Sequence, residues 1–142
     1  DLDPQTRREL VRWRNRLAPH QVDDETIDQL ARDESAIVEQ FNGFRAQLKD
    51  RRVGDNEIDR ILRESTDSSE VESAWRASKR IADHRAEGGG PTVTDRLRSL
   101  VKLRNSAARQ IGFDHAYQAS LTLSELDPDW LFETLSRLEK ET

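Results

Sequence analysis

Cysteine is absent from the 142 residues, which excludes disulfides, thiolate metal sites and cysteine nucleophiles. Long apolar runs are absent as well: nothing approaches the ~18 consecutive apolar residues of a membrane-spanning helix, and the start carries no signal-peptide pattern. Hydrophobic residues make up 34% of the chain and charged residues 36%. The core must therefore come from spaced apolar positions, which argues against a parallel sheet with its continuous buried strands. An excess of positive charge is also missing. Twenty-three basic residues face 28 acidic ones, for a net charge of −5 and a pI near 5.3, against the basic stripe of a general nucleic-acid binder. The expectation is a single water-soluble unit with no membrane partner, placed in the cytoplasm.

What is present is helical periodicity. Asp3-Pro4 supplies an N-cap followed by proline at the first helical position, and Leu10, Trp13 and Leu17 follow at helical spacing, giving a helix over 4–17. Ile27, Leu30, Ala31, Ile37, Val38, Phe41, Phe44 and Leu48 predict one long amphipathic helix near residues 24–50. After Gly54, Asp55 is the expected cap of a short helix bearing Ile58, Ile61 and Leu62. Ser69 with Glu72 reads as a capping box for a helix reaching about Ala86. Gly88-Gly89-Gly90-Pro91 reads as a linker, because glycine loses most entropy on ordering and proline cannot extend a helix. Thr92 to Asp95 caps a helix whose stripe runs from Leu97 to Ile111 and closes at Gly112 as the left-handed C′ residue. Ala116, Tyr117, Ser120 and Leu121 mark the next helix, and Asp127-Pro128 opens the last. The fold class predicted is all-α, with six to seven helices in an antiparallel array or bundle. The expected organisation is N-terminal helical hairpins over 1–87, a linker at 88–91 and a helical segment over 92–142, together one incomplete domain of a larger protein.

Catalytic patterns are scarce. Two histidines four apart around a glutamate would hold zinc and supply a general base, but none of His20, His84 and His115 has that context. The positions three before them are Leu17, Ile81 and Gly112, so glutamate-histidine pairs of a di-iron bundle are absent too. His84 and Glu87 sit three apart, a weak metal pair beside the ordinary reading of a histidine in a last helical turn. The triple glycine lacks the Gly-Lys-Ser/Thr of a phosphate loop, and Ser99 with Lys102 matches a serine-lysine motif by letter only. Arg7, Arg8, Arg12, Arg14 and Arg16 surround Trp13, as stacking nucleic-acid sites do. The acidic balance and nineteen arginines to four lysines favour a solvated face instead. Trp13, Trp75 and Trp130 fall on apolar helix faces and are expected in the core. The residues thus name no catalytic and no metal-ligating side chain, and no cofactor for this chain.

Leu100-Val101-Lys102-Leu103-Arg104-Asn105-Ser106-Ala107-Ala108-Arg109-Gln110-Ile111-Gly112-Phe113-Asp114-His115-Ala116-Tyr117 resembles the N-terminal half of the helical zinc metallopeptidases of the oligopeptidase and angiotensin-converting-enzyme type. Ser73 to Lys79 and Glu125 to Phe132 look like the family's neighbouring helices. The likeness covers about residues 70–142; over 1–68 only helical character agrees. It implies a packing motif of Leu100, Arg104, Asn105, Ala108, Gly112 and Tyr117, in a helical wall or lid of a substrate channel that admits oligopeptides. The family's zinc-binding His-Glu-x-x-His helix and further glutamate match nothing here, so zinc would belong to the parent enzyme and this chain should be inactive alone. The last residues continue a helical pattern without a stop signal, in keeping with a fragment. The implied partner is a missing C-terminal catalytic half, with peptide substrates in the parent. Leu121, Leu123, Leu126 and Phe132 exceed what one helix face needs and are the expected interface, through which a homo-oligomer would also form. The alternative is a stand-alone helical protein-interaction module.

Overall fold

The computed structural model describes residues 2–86 and 88–141. It is mostly α-helical, as the periodicity implies, with α1 (Pro4–Leu17), α2 (Asp24–Gly43), α3 (Asp55–Glu64), α4 (Ser68–Lys79), α5 (Val93–Gln110), α6 (Ala116–Leu123) and α7 (Pro128–Glu141). Short 3₁₀ turns follow α1 and α4, and one antiparallel hairpin joins β1 (Ala46–Leu48) to β2 (Arg51–Val53). Two compact units emerge, Asp1–Leu30 with Val101–Thr142, and Ala31–Leu100. The chain changes unit inside α2 and inside α5. Gly88-Gly89-Gly90-Pro91 forms a loop within the second unit, closed by an Arg85–Thr92 bridge and by the Val93 amide donating to His84.

The second unit has an apolar core of Phe44, Ala46, Leu48, Val53, Ile58, Ile61, Ala74 and Ala77, with Ile81 packed against it. The helix expected over 24–50 stops at Gly43. Phe44, Ala46 and Leu48 alternate with Arg45 and Gln47, so the segment 44–48 has strand period two and buries every second side chain. Phe44 and Leu48 are also four apart, which is why a helical stripe accommodates them equally well. The register sets Ala46 against Val53 and Leu48 against Arg51, leaving the two-residue turn Lys49-Asp50, with Lys49 at φ 54° supplying the reversal. Hairpin and helices then close on each other: α3 lies against α4, and α4 against β1.

Two caps differ from expectation. Gly54, not Asp55, is the N-cap of α3, leaving Asp55 to favour the first turn through the helix dipole. Asp67, not Ser69, caps α4: its carboxylate accepts from the Ser69 and Glu70 amides, a stronger acceptor than a hydroxyl. That helix ends at Lys79 in a 3₁₀ turn rather than near Ala86.

In the first unit α1 packs beside α6, with Arg8 paired to Glu125 at 2.7 Å. Asp3 and Asp127 cap α1 and α7 as the sequence implies, and Asp23 caps α2: their carboxylates accept from the amides of Thr6 (3.0 Å), Trp130 (2.8 Å) and Thr26 (2.7 Å) respectively. Gln110, the last residue of α5, reaches the start of α2. Its Oε1 accepts from the Asp23 amide at 2.9 Å and its Nε2 donates to the Thr26 hydroxyl at 3.1 Å.

Candidate functional site

Five of the six motif residues belong to the first unit and build the α5–α6 joint; Leu100 lies in the second. Gly112 adopts φ 87°, the left-handed value that spares glycine a Cβ clash. It donates to Arg109 at 3.2 Å while Phe113 donates to Ala108 at 3.0 Å, the paired bonds of a Schellman stop. Asn105 then accepts the Ala116 amide at 3.0 Å, satisfying an orphan donor of α6. His115 is the N-cap, its Nδ1 accepting from Gln118 at 3.1 Å. Leu100 and Ala108 are buried, whereas Arg104 and Tyr117 are exposed. The motif is thus a rigid helix stop and restart.

The same stop recurs at the end of α6. Leu126 donates to Leu121 at 2.9 Å and Glu125 to Thr122 at 3.1 Å. Here the left-handed residue is Glu125, at φ 58°, held by its carboxylate on Arg8.

Of the four expected interface residues, Leu121 is buried and spent inside its own unit, and Leu123 is half-buried. Leu126 and Phe132 are open, the Phe132 ring lying 6.5 Å from that of Tyr117. A broader apolar surface accompanies them. On α7 Leu131, Leu135 and Leu138 repeat at helical spacing, the last two about half exposed, and on α1 Leu10, Trp13 and Leu17 do the same. Neither helix has a fully buried residue. The three tryptophans expected in the core are all at least half exposed; Arg16 lies over Trp13 at 5.8 Å and Lys79 over Trp75 at 5.5 Å, so a cation covers one face where a core was expected.

A different site lies in the second unit, where the sequence offered no motif. Gln40 is the buried polar residue among the described residues of that unit. Its Nε2 donates to the carbonyls of His84 and Pro91, and its Oε1 accepts from Arg96 Nε at 2.9 Å. One amide thereby ties α2 to both ends of the glycine loop and to α5. Beside it opens a cavity of about 660 Å³, walled by α2, the hairpin, the 84–86 segment and α5. Four guanidiniums line it, from Arg45, Arg52, Arg85 and Arg96, with Glu39 the one lining carboxylate among the described residues. The His84 ring, also on the wall, meets Phe44 edge to face at 5.2 Å. A concavity of about 720 Å³ along α7 is walled by that helix alone, with no second element to position a ligand.

The acidic caps are electrostatically tuned. Hydrogen bonds from the Thr92 hydroxyl and amide hold the Asp95 carboxyl below its ordinary 3.8, helped by the positive charge of Arg85 and Arg98. Asp95 returns the contact, its amide donating to the Thr92 hydroxyl at 3.1 Å, which makes Thr92 and Asp95 a reciprocal capping box. Asp3 and Asp23 are lowered in the same manner, by Thr6 and Thr26 respectively.

Among the described residues no group of three or more His, Asp or Glu side chains is arranged to hold a metal ion, and zinc finds no ligand set there. Of the His84–Glu87 pair, Glu87 lies outside the described residues. Among the described residues no helix is long and apolar enough to cross a membrane. No family model, curated protein or solved structure matches this chain.

Proposed function

We propose that this chain is the non-catalytic N-terminal helical part of a zinc-dependent peptidase acting on oligopeptides, forming a wall or lid of its substrate channel in the cytoplasm. The observation that carries the reading is the uncovered apolar surface of α1 and α7, where Leu10, Trp13, Leu17, Phe132, Leu135 and Leu138 stand about half exposed. Apolar stripes left exposed in this way suit a surface that another surface covers. Its proposed cover is the catalytic half of the same polypeptide, which would bring the zinc ligands. The resemblance over residues 70–142 supports that choice, and its Asn105 and Gly112 fix the path from α5 into α6. Tyr117 and Phe132, adjacent and open, are suited to line a channel for peptide side chains. Alone, the chain has its apolar stripes in water and self-association is the expected behaviour.

The test is to extend the reading frame past Thr142 and to assay the whole product. The reading expects a His-Glu-x-x-His helix downstream and cleavage of a quenched fluorescent oligopeptide, abolished by a chelator and restored by zinc. A full-length product with neither zinc nor cleavage removes the reading and leaves the interaction module.

A further inference from the structure

The arginine-lined cavity of the second unit has no part in the peptidase reading, and its chemistry is unlike that of the apolar stripes. We propose that it is a binding site for a small phosphate-bearing ligand. Among the described residues four guanidiniums against one carboxylate give its wall a net positive charge in a chain whose total is −5. Among the described residues of this unit the ion pairs join Arg51 and Arg60 to Glu57, Arg76 to Glu72 and Arg98 to Asp95, and the four cavity arginines take part in none of them.

Three of those arginines are held instead by neutral oxygens. Arg45 donates through Nη1 to the carbonyls of Asn42 and Phe44, Arg85 through Nη1 to that of Gly90, and Arg96 through Nε to Gln40. Such bonds hold each guanidinium through a neutral oxygen, and of the three Arg85 also faces a carboxylate's charge, that of Asp95. A guanidinium has five N–H donors, so each keeps several for a ligand while part of its side-chain freedom is already lost, which lowers the ordering cost of binding. Arg52 joins them from β2, opposite Gln47, itself on the wall. Planar forks of this kind match phosphate oxygens two at a time. The cavity volume, about 660 Å³, lies within the ~300–1,000 Å³ of small-molecule sites and exceeds the needs of a bare phosphate, favouring a phosphate ester or diphosphate.

Calorimetric titration of the whole chain with inorganic phosphate, pyrophosphate and succinate, at constant ionic strength set by chloride, tests the site. Saturable binding is expected, with pyrophosphate tighter than phosphate and succinate weakest. Arg52→Gln should weaken pyrophosphate by about tenfold, the loss of one charge-assisted contact, with an unchanged helical circular dichroism spectrum. Arg51→Gln, on the same strand but paired to Glu57 outside the cavity, should leave binding as it was. Absence of saturation, succinate binding as well as pyrophosphate, or equal losses from Arg51→Gln and Arg52→Gln would each overturn the proposal.

Discussion

The two units are held together by different means. In Ala31–Leu100 a hairpin and two helices bury Phe44, Leu48, Val53, Ile58 and Ile61 against one another. In Asp1–Leu30 with Val101–Thr142 the buried apolar residues are Val22, Ala107, Ala108, Ala119 and Leu121, three of them alanines, and order is imposed at helix ends by Asp3, Asp23, Asn105, Gln110 and Asp127. The contrast separates two uses of one composition. Where apolar side chains meet, burial supplies the driving force; where they stay exposed, side-chain hydrogen bonds at helix termini direct the chain and the apolar faces remain open for another surface.

Deleting core volume gives the largest expected effect. Ile58→Ala should cost about 2–5 kcal/mol, the usual range for such a cavity, whereas Leu135→Ala on α7 should stay within about 0.5 kcal/mol; paired urea melts read the difference. Comparable losses at both positions would erase the contrast between the units. Next comes Gln40→Ala, which strands two carbonyls and a guanidinium at a cost of about 1–3 kcal/mol. Faster proteolysis within the glycine loop, with the melting temperature lowered, is the expected sign, because that amide holds both loop ends.

In the first unit Gln110→Ala removes the latch on Asp23 and Thr26 and should cost about 1 kcal/mol, with amide exchange accelerated in the first turn of α2 ahead of the rest. The smallest effect is on acid stability. The carboxyls of Asp3, Asp23 and Asp95 lie below 3.8 in the folded chain, so the unfolded state binds their protons first. Their contribution is complete above that value and is lost as the pH falls through the lower folded values. Carboxyl titration by NMR should place all three midpoints under 3.8, and Thr26→Val should bring that of Asp23 back toward it.

Much of the helical layout was legible because its signals are local. Asp3-Pro4 and Asp127-Pro128 start helices wherever they stand, and Gly112 ends one because a left-handed residue is needed there. The hairpin was not legible in a helical stripe: Phe44 and Leu48 satisfy both periods, and only the burial of Ala46 against the core selects the strand. Ser69 and Asp55 are good caps by type, yet Asp67 and Gly54 occupy those places, since a shift of one or two residues in a helix start costs little and is decided by packing. The tryptophans misled for a related reason, because an apolar face says where a side chain points and not whether anything covers it.

By itself the sequence determined the starts of α1 and α7 and the stop of α5 at Gly112, through groups that act within one turn of the backbone. It also determined that this chain has no thiol chemistry and no apolar span for a membrane. Only the tertiary structure decided that Gln40 gathers the glycine loop, that Arg45, Arg52, Arg85 and Arg96 share one cavity, and that Leu121 is inside while Leu135 is out. Those residues stand far apart along the chain, and which side chains share a wall depends on long-range packing that no local pattern encodes.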